Sequence, residues 1–193
     1  MARKFAESKD YYEQYAKEIL VQIGLFNRDD IEVKDKPDLW ITSKNIGIEV
    51  VRDIFSNEEE ATNFIIHEII EKNRTLTEQE QHKMYKLGVE SFNNRNYNFA
   101  WTPNNMTHIK STIDKKINVL NKADFRIFEK NGLYIYVDTL ILSEQRIIKL
   151  MDYTSRKDIK YNFDTFYLDG IHELWVCDLK RKSIQYFNID KTN

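Results

Sequence analysis

The sequence predicts an α/β fold, a mixed sheet with helices on its faces. Three observations point there. Stretches with helical periodicity alternate along the chain with short apolar runs rich in β-branched and aromatic residues. Only two prolines and five glycines punctuate 193 residues, so long elements outweigh linkers. Apolar residues make up 41% and aromatic residues 13%, enough for a globular core, while a disordered chain would carry fewer aromatics and a larger net charge than −2.

The first element is SKDYYEQYAKEILVQIG, where Tyr12, Ala16, Ile19, Leu20 and Ile23 recur at helical spacing and Gly24 is placed to cap the C-terminus. Residues 30–35 read as a short edge strand. Asp38 to Ser43 and Ile46 to Arg52 read as a β-hairpin around Lys44-Asn45. A helix is expected from about Ser56 to Asn73, its acidic run near the start matching the helix dipole, and a more polar one from Thr77 to Gly88. SFNNRNYNFAWTPNN, residues 91–105, reads as an Asn-rich loop with at most a short strand. From Met106 to Lys122 one stripe carries Met106, Ile109, Ile113, Lys116, Ile117 and Leu120. A strand (GLYIYVDTLIL), a helix over 143–157 and the strands FDTFYL, HELWVCDL and SIQYFNI complete the chain, the last two joined by Lys180-Arg181-Lys182. The order is αβββ, a helical insertion at about 56–100, αβ, then a helix with closing strands, all within a single domain spanning 1–193.

Composition narrows the setting. A chain this long buries roughly two-thirds to three-quarters of its unfolded surface. The lone cysteine, Cys177, cannot form an internal disulfide, and the N-terminus lacks a secretory apolar stretch, so a cytoplasmic location is expected. No stretch approaches the roughly 20 apolar residues of a membrane span. Four histidines, at 67, 82, 108 and 172, share no ligand spacing, which argues against structural zinc. Near-neutral charge means that any basic footprint for nucleic acid must be local.

The hairpin holds the informative pair. With Lys44-Asn45 as a two-residue turn, Ser43 pairs with Ile46, Trp40 faces Glu49 and Asp38 faces Val51. Leu39, Ile41, Ile48 and Val50 then form a wholly apolar face that must be core. Asp38 and Glu49 share the other face as diagonal neighbours, their Cα atoms roughly 7–8 Å apart. A one-residue slip would separate them; an even slip would keep them together. Two carboxylates so placed suit a hard cation such as Mg²⁺, which accepts one or two protein carboxylates alongside water and phosphate. The plainer alternative has Asp38 capping a turn after Pro37 and Glu49 solvated on a half-exposed strand.

Pro37-Asp38 followed by Gly47-Ile48-Glu49-Val50-Val51 resembles the PD-(D/E)XK nuclease superfamily, in particular small bacterial and phage members with a PD…GIEV signature. The resemblance implies a restriction endonuclease-like αβββαβ core over residues 8–140 and, more loosely, closing C-terminal strands. It implies Mg²⁺ (or Mn²⁺) held by Asp38, Glu49 and the backbone carbonyl of Val50, with Glu13 contributed by the first helix. It also implies phosphodiester hydrolysis, with DNA as the expected partner and a metal-activated water attacking in line.

One departure matters. Where the motif has a lysine two residues after its acid, this chain has Val51, and Arg52 points to the opposite face in the expected register. In related proteins the cation migrates to the following helix, which makes Lys116 the candidate. A lysine on a sheet-facing stripe must snorkel out or meet an anion. Glu13 likewise has a plain reading, as a surface acid pairing with Lys17. Arg95, Tyr97 and Trp101 are weaker candidates for contacting nucleic acid, and loop packing explains them as well. The insertion is a candidate for setting substrate choice or for self-association as a homodimer. The alternative function is a catalytically inactive nuclease-fold protein that binds nucleic acid or a protein partner in a phage or defence context.

Overall fold

The apolar stripe of the first helix and the alternation of the following strands assemble one face of a sheet in the computed structural model, which describes residues 9–65, 67–68, 72, 74–93, 96–99, 106–138, 140–155, 159–170 and 172–189. The chain divides into two compact units, one comprising Lys9–Asp53 and Asn104–Asn193 and the other built chiefly on Ile54–Pro103. Five α-helices occur among the described residues. None is long and apolar enough to cross a membrane.

The larger unit is α/β. Its elements are α1 (Lys9–Gln22), β1 (Ile31–Val33), β2 (Leu39–Ile41), β3 (Ile46–Asp53), then α4 (Met106–Leu120), β6 (Lys130–Val137), α5 (Glu144–Ser155), β7 (Thr165–Asp169), β8 (Glu173–Asp178) and β9 (Ser183–Asn188). Seven strands form a mixed sheet in the order β1-β2-β3-β6-β7-β8-β9. β3, β6 and β7 run parallel, and the outer pairs are antiparallel. β6 is buried along nearly its whole length, as a central strand covered on both faces must be.

α1 ends in a Schellman closure. Gly24 takes φ +73°, its N–H donates to the Val21 carbonyl at 2.9 Å, and the Leu25 N–H reaches the Leu20 carbonyl at 3.2 Å. Ala16, Ile19 and Leu20 pack with Leu39, Ile41, Ile48, Val50, Tyr134 and Tyr136 in one core cluster. The Tyr136 hydroxyl adds a 2.8 Å bond to the Tyr12 carbonyl. On the other face, Ile109, Ile113, Ile117 and Leu120 of α4 and Ile147, Leu150 and Met151 of α5 pack over Leu133, Ile135, Phe166 and Leu168. Helices therefore cover both faces of the sheet.

The hairpin register differs from the expected one by two residues. Leu39 pairs with Ile48, Trp40 with Gly47 and Ile41 with Ile46. Thr42–Lys44 form a 3₁₀ turn and Asn45 alone takes the left-handed conformation, at φ 51°. A two-residue type I′ turn would have required positive φ at both Lys44 and Asn45, whereas Asn45 alone adopts it. Because the slip is even, every side chain keeps its face.

The smaller unit contains α2 (Ser56–Ile65), α3 (Glu78–Lys86) and a hairpin of β4 (Val89–Asn93) and β5 (Asn96–Phe99). The Asn-rich stretch expected to be mostly loop thus supplies a strand and most of a hairpin. Ala61, Ile65, Met84 and Val89 make its core. Thr77 and Glu80 form a capping box at the start of α3. The Arg74 guanidinium, followed by the Thr77 N–H, holds the Glu80 carboxyl at about 2 rather than the usual 4.5. A depressed carboxyl stabilises the native state above its unfolded value, and that contribution disappears as pH falls toward 2. Carbon-detected NMR titration is expected to find the Glu80 midpoint near this value, and Arg74→Ala to move it up toward the ordinary one.

Candidate functional site

Glu49 sits in the middle of β3 and is only 6% exposed; Asp38, immediately before β2, is 1% exposed. Continuing the observed register one residue past Leu39 and Ile48 sets Asp38 directly across from Glu49 on the same face. The Asp38 carboxylate accepts the Val50 backbone N–H at 2.7 Å, so it also completes the edge of β3 where β2 gives out. Glu49 is thus not the solvated residue of the plainer reading, while Asp38 does accept a backbone N–H, that of Val50.

The cation comes from α4. Lys116 follows Thr112 and Ile113 on the sheet-facing side of the helix, and its Nζ donates to Glu49 Oε1 at 2.7 Å, a contact spanning 67 residues of sequence. Its side chain keeps 21% exposure against 8% for Glu49, so the lysine meets an anion instead of extending fully into water. Val51 packs against the apolar cluster beneath α4. Arg52 turns to the other face, where its Nε donates to Asp138 at 2.7 Å and its guanidinium lies 5.6 Å from the Tyr12 ring.

Glu13 is 4% exposed, on α1, whose apolar stripe covers the opposite face of the sheet from α4. It is not a surface acid paired with Lys17: that lysine donates to the Ile31 carbonyl at 2.6 Å. Of the candidate nucleic-acid contacts, Arg95 and Trp101 lie outside the described residues; Tyr97 belongs to β5, and its side chain lies outside them too.

Comparison of the chain with protein-family models, with curated proteins and with solved structures found no match. Among the described residues no group of three or more histidine, cysteine or acidic side chains is arranged to hold a metal ion. Two opposed carboxylates remain, and they fit the sparse protein ligation that Mg²⁺ accepts when water and phosphate fill its other positions.

Sequence reasoning missed a second polar contact on this face. Asp53, fully buried, accepts the Thr112 hydroxyl at 2.9 Å and lies 2.7 Å from His108 Nδ1. His108, Thr112 and Lys116 thus recur every four residues along α4, above acids four residues apart on β3. Polar residues repeating inside an otherwise apolar stripe were the available signal.

Aromatic side chains lie beside the acids. Trp40 and Phe128 meet edge to face with centroids 5.5 Å apart. Phe128 is admitted by Gly47, where a Cβ would come within 2.5 Å of the Phe128 ring and 2.6 Å of Pro37. Gly47→Ala is expected to destabilise the fold by about 1–3 kcal/mol, the usual cost of forcing an extra methyl into a filled site. Urea unfolding checks this; an unchanged midpoint would mean that the ring swings away freely.

Proposed function

We propose that this chain is a metal-dependent nuclease of restriction endonuclease-like fold that hydrolyses phosphodiester bonds in DNA. The observation that carries the reading is the 2.7 Å contact of Lys116 with Glu49, opposite buried Asp38. It supports Lys116 as the counterpart of the lysine that Val51 replaces in the motif. Asp38, Glu49 and the Val50 carbonyl would hold Mg²⁺ or Mn²⁺. When bound, the metal supplies charge neutralisation at phosphorus and a stronger water nucleophile. Lys116 orients that water and balances charge on the phosphoryl oxygens from a partly dehydrated position, where such electrostatic terms are largest. The helix and sheet that carry these groups fix their geometry before substrate arrives.

Wild-type protein is expected to cleave plasmid, linear duplex or single-stranded DNA in Mg²⁺ or Mn²⁺ and to stop on addition of EDTA. No cleavage of any of them, together with no heat of metal binding by calorimetry, would overturn the proposal.

A second reading is a catalytically inactive protein of the same ancestry that binds nucleic acid or a protein partner. Two observations favour it: an apolar Val51 at the motif position, and an Asp38 carboxylate already engaged by the Val50 N–H. The calorimetric result separates the two readings.

A further inference from the structure

We propose that Arg126, laid across Trp40 and Phe128, is a phosphate-binding subsite that holds the nucleic-acid strand next to the bond to be cut. The inference rests on the reading of this face as a nucleic-acid site. The Arg126 guanidinium carbon lies 4.2 Å from the Trp40 ring centroid and 4.9 Å from that of Phe128. Arg126 is exposed, whereas Phe128 is buried and Trp40 half-buried, so a flexible side chain rests on a fixed platform. Gly47 fixes that platform by making room for the Phe128 ring.

Position ties the platform to the acids. Trp40 alternates with Asp38 and pairs with Gly47, which alternates with Glu49, so all four side-chain positions lie on one face. Trp40 is then the diagonal neighbour of Glu49, at a Cα separation of roughly 7–8 Å.

Charge and geometry select the ligand. Arg126 forms no ion pair with any described residue, although Lys36 nearby in sequence to Asp38 is held by Asp124 at 2.7 Å. The rings sit under the guanidinium, whose planar fork of N–H donors can grip phosphate with two parallel bonds. Because Arg126 already occupies the Trp40 face, the tryptophan is not open to a stacked base. A backbone phosphate is the ligand that fits, and the contact is independent of base sequence.

The test measures binding of a short fluorescein-labelled single-stranded oligonucleotide by anisotropy over a range of salt concentrations, with Ca²⁺ in place of Mg²⁺ and again with EDTA. Arg126→Ala is expected to weaken binding at least tenfold and to reduce the slope of log affinity against log salt by about 0.7, the share of one phosphate. Arg126→Lys keeps the charge without the planar fork and should fall between. Circular-dichroism melting confirms that both variants fold. Affinity within twofold of wild type and an unchanged slope in Arg126→Ala would overturn the subsite, as would wild type that binds no oligonucleotide in either buffer. Hydrolysis is judged separately: Arg126-dependent binding without cleavage keeps the subsite and removes the nuclease, and unaltered cleavage by Arg126→Ala does the reverse.

Discussion

On the proposed chemistry, Glu49→Ala is expected to lower metal-dependent DNA cleavage by about 100- to 1,000-fold, the loss that follows when one of the groups stabilising charge at the reacting phosphate is deleted. Glu49 faces Asp38 and bonds Lys116, so its removal would disable the proposed metal ligands and the cation together. Glu49→Gln separates the two effects. The amide oxygen still accepts from Lys116, while the charge that attracts a divalent ion is gone. Both variants should lose cleavage, and Glu49→Ala, which also removes the acceptor for Lys116, should lose more stability than Glu49→Gln. The measurement is single-turnover cleavage across a Mg²⁺ titration. Retention of wild-type rate by either variant would eliminate the assigned chemistry.

Lys116→Ala should destabilise the protein by about 2–3 kcal/mol in the absence of divalent metal. Removing one partner of a buried pair costs about 3–5 kcal/mol, and the lower figure here reflects the partial exposure of the lysine. The distinctive result is metal rescue. If Asp38 and Glu49 bind Mg²⁺, the ion replaces the lost positive charge, and Mg²⁺ raises the variant's urea midpoint more than that of wild type. A structural ion pair would show the destabilisation without the rescue. Cleavage by Lys116→Ala should fall as well, because metal cannot restore the orienting cation.

The sequence made the helices legible because each buries a continuous stripe: Ala16, Ile19 and Leu20 on α1, and Ile109, Ile113 and Ile117 on α4. It also placed Asp38 and Glu49 on one face, since pleating depends on parity and not on the pairing itself. The register was illegible because it depends on how many turn residues take a left-handed backbone: the two-residue turn needs both Lys44 and Asn45, and Asn45 alone does so. The β4–β5 hairpin was hidden by asparagines, which are poor strand formers that pairing overrides. The fate of Lys116 could be reduced to two outcomes but not decided, because its partner stands 67 residues away. Nothing in sequence joins Trp40 to Arg126 and Phe128, whose meeting is a product of the sheet.

The parallel pairing of β3 with β6 has a kinetic consequence. These neighbours at the centre of the sheet are separated in sequence by α2, α3, the β4–β5 hairpin and α4, so they can join only after a long chain closure. Such distant pairings slow folding, because entropy is spent before the contacts return anything. Early collapse of the intervening segment into its own small core would bring the ends of that closure nearer, giving it the part of a spacer that shortens the search.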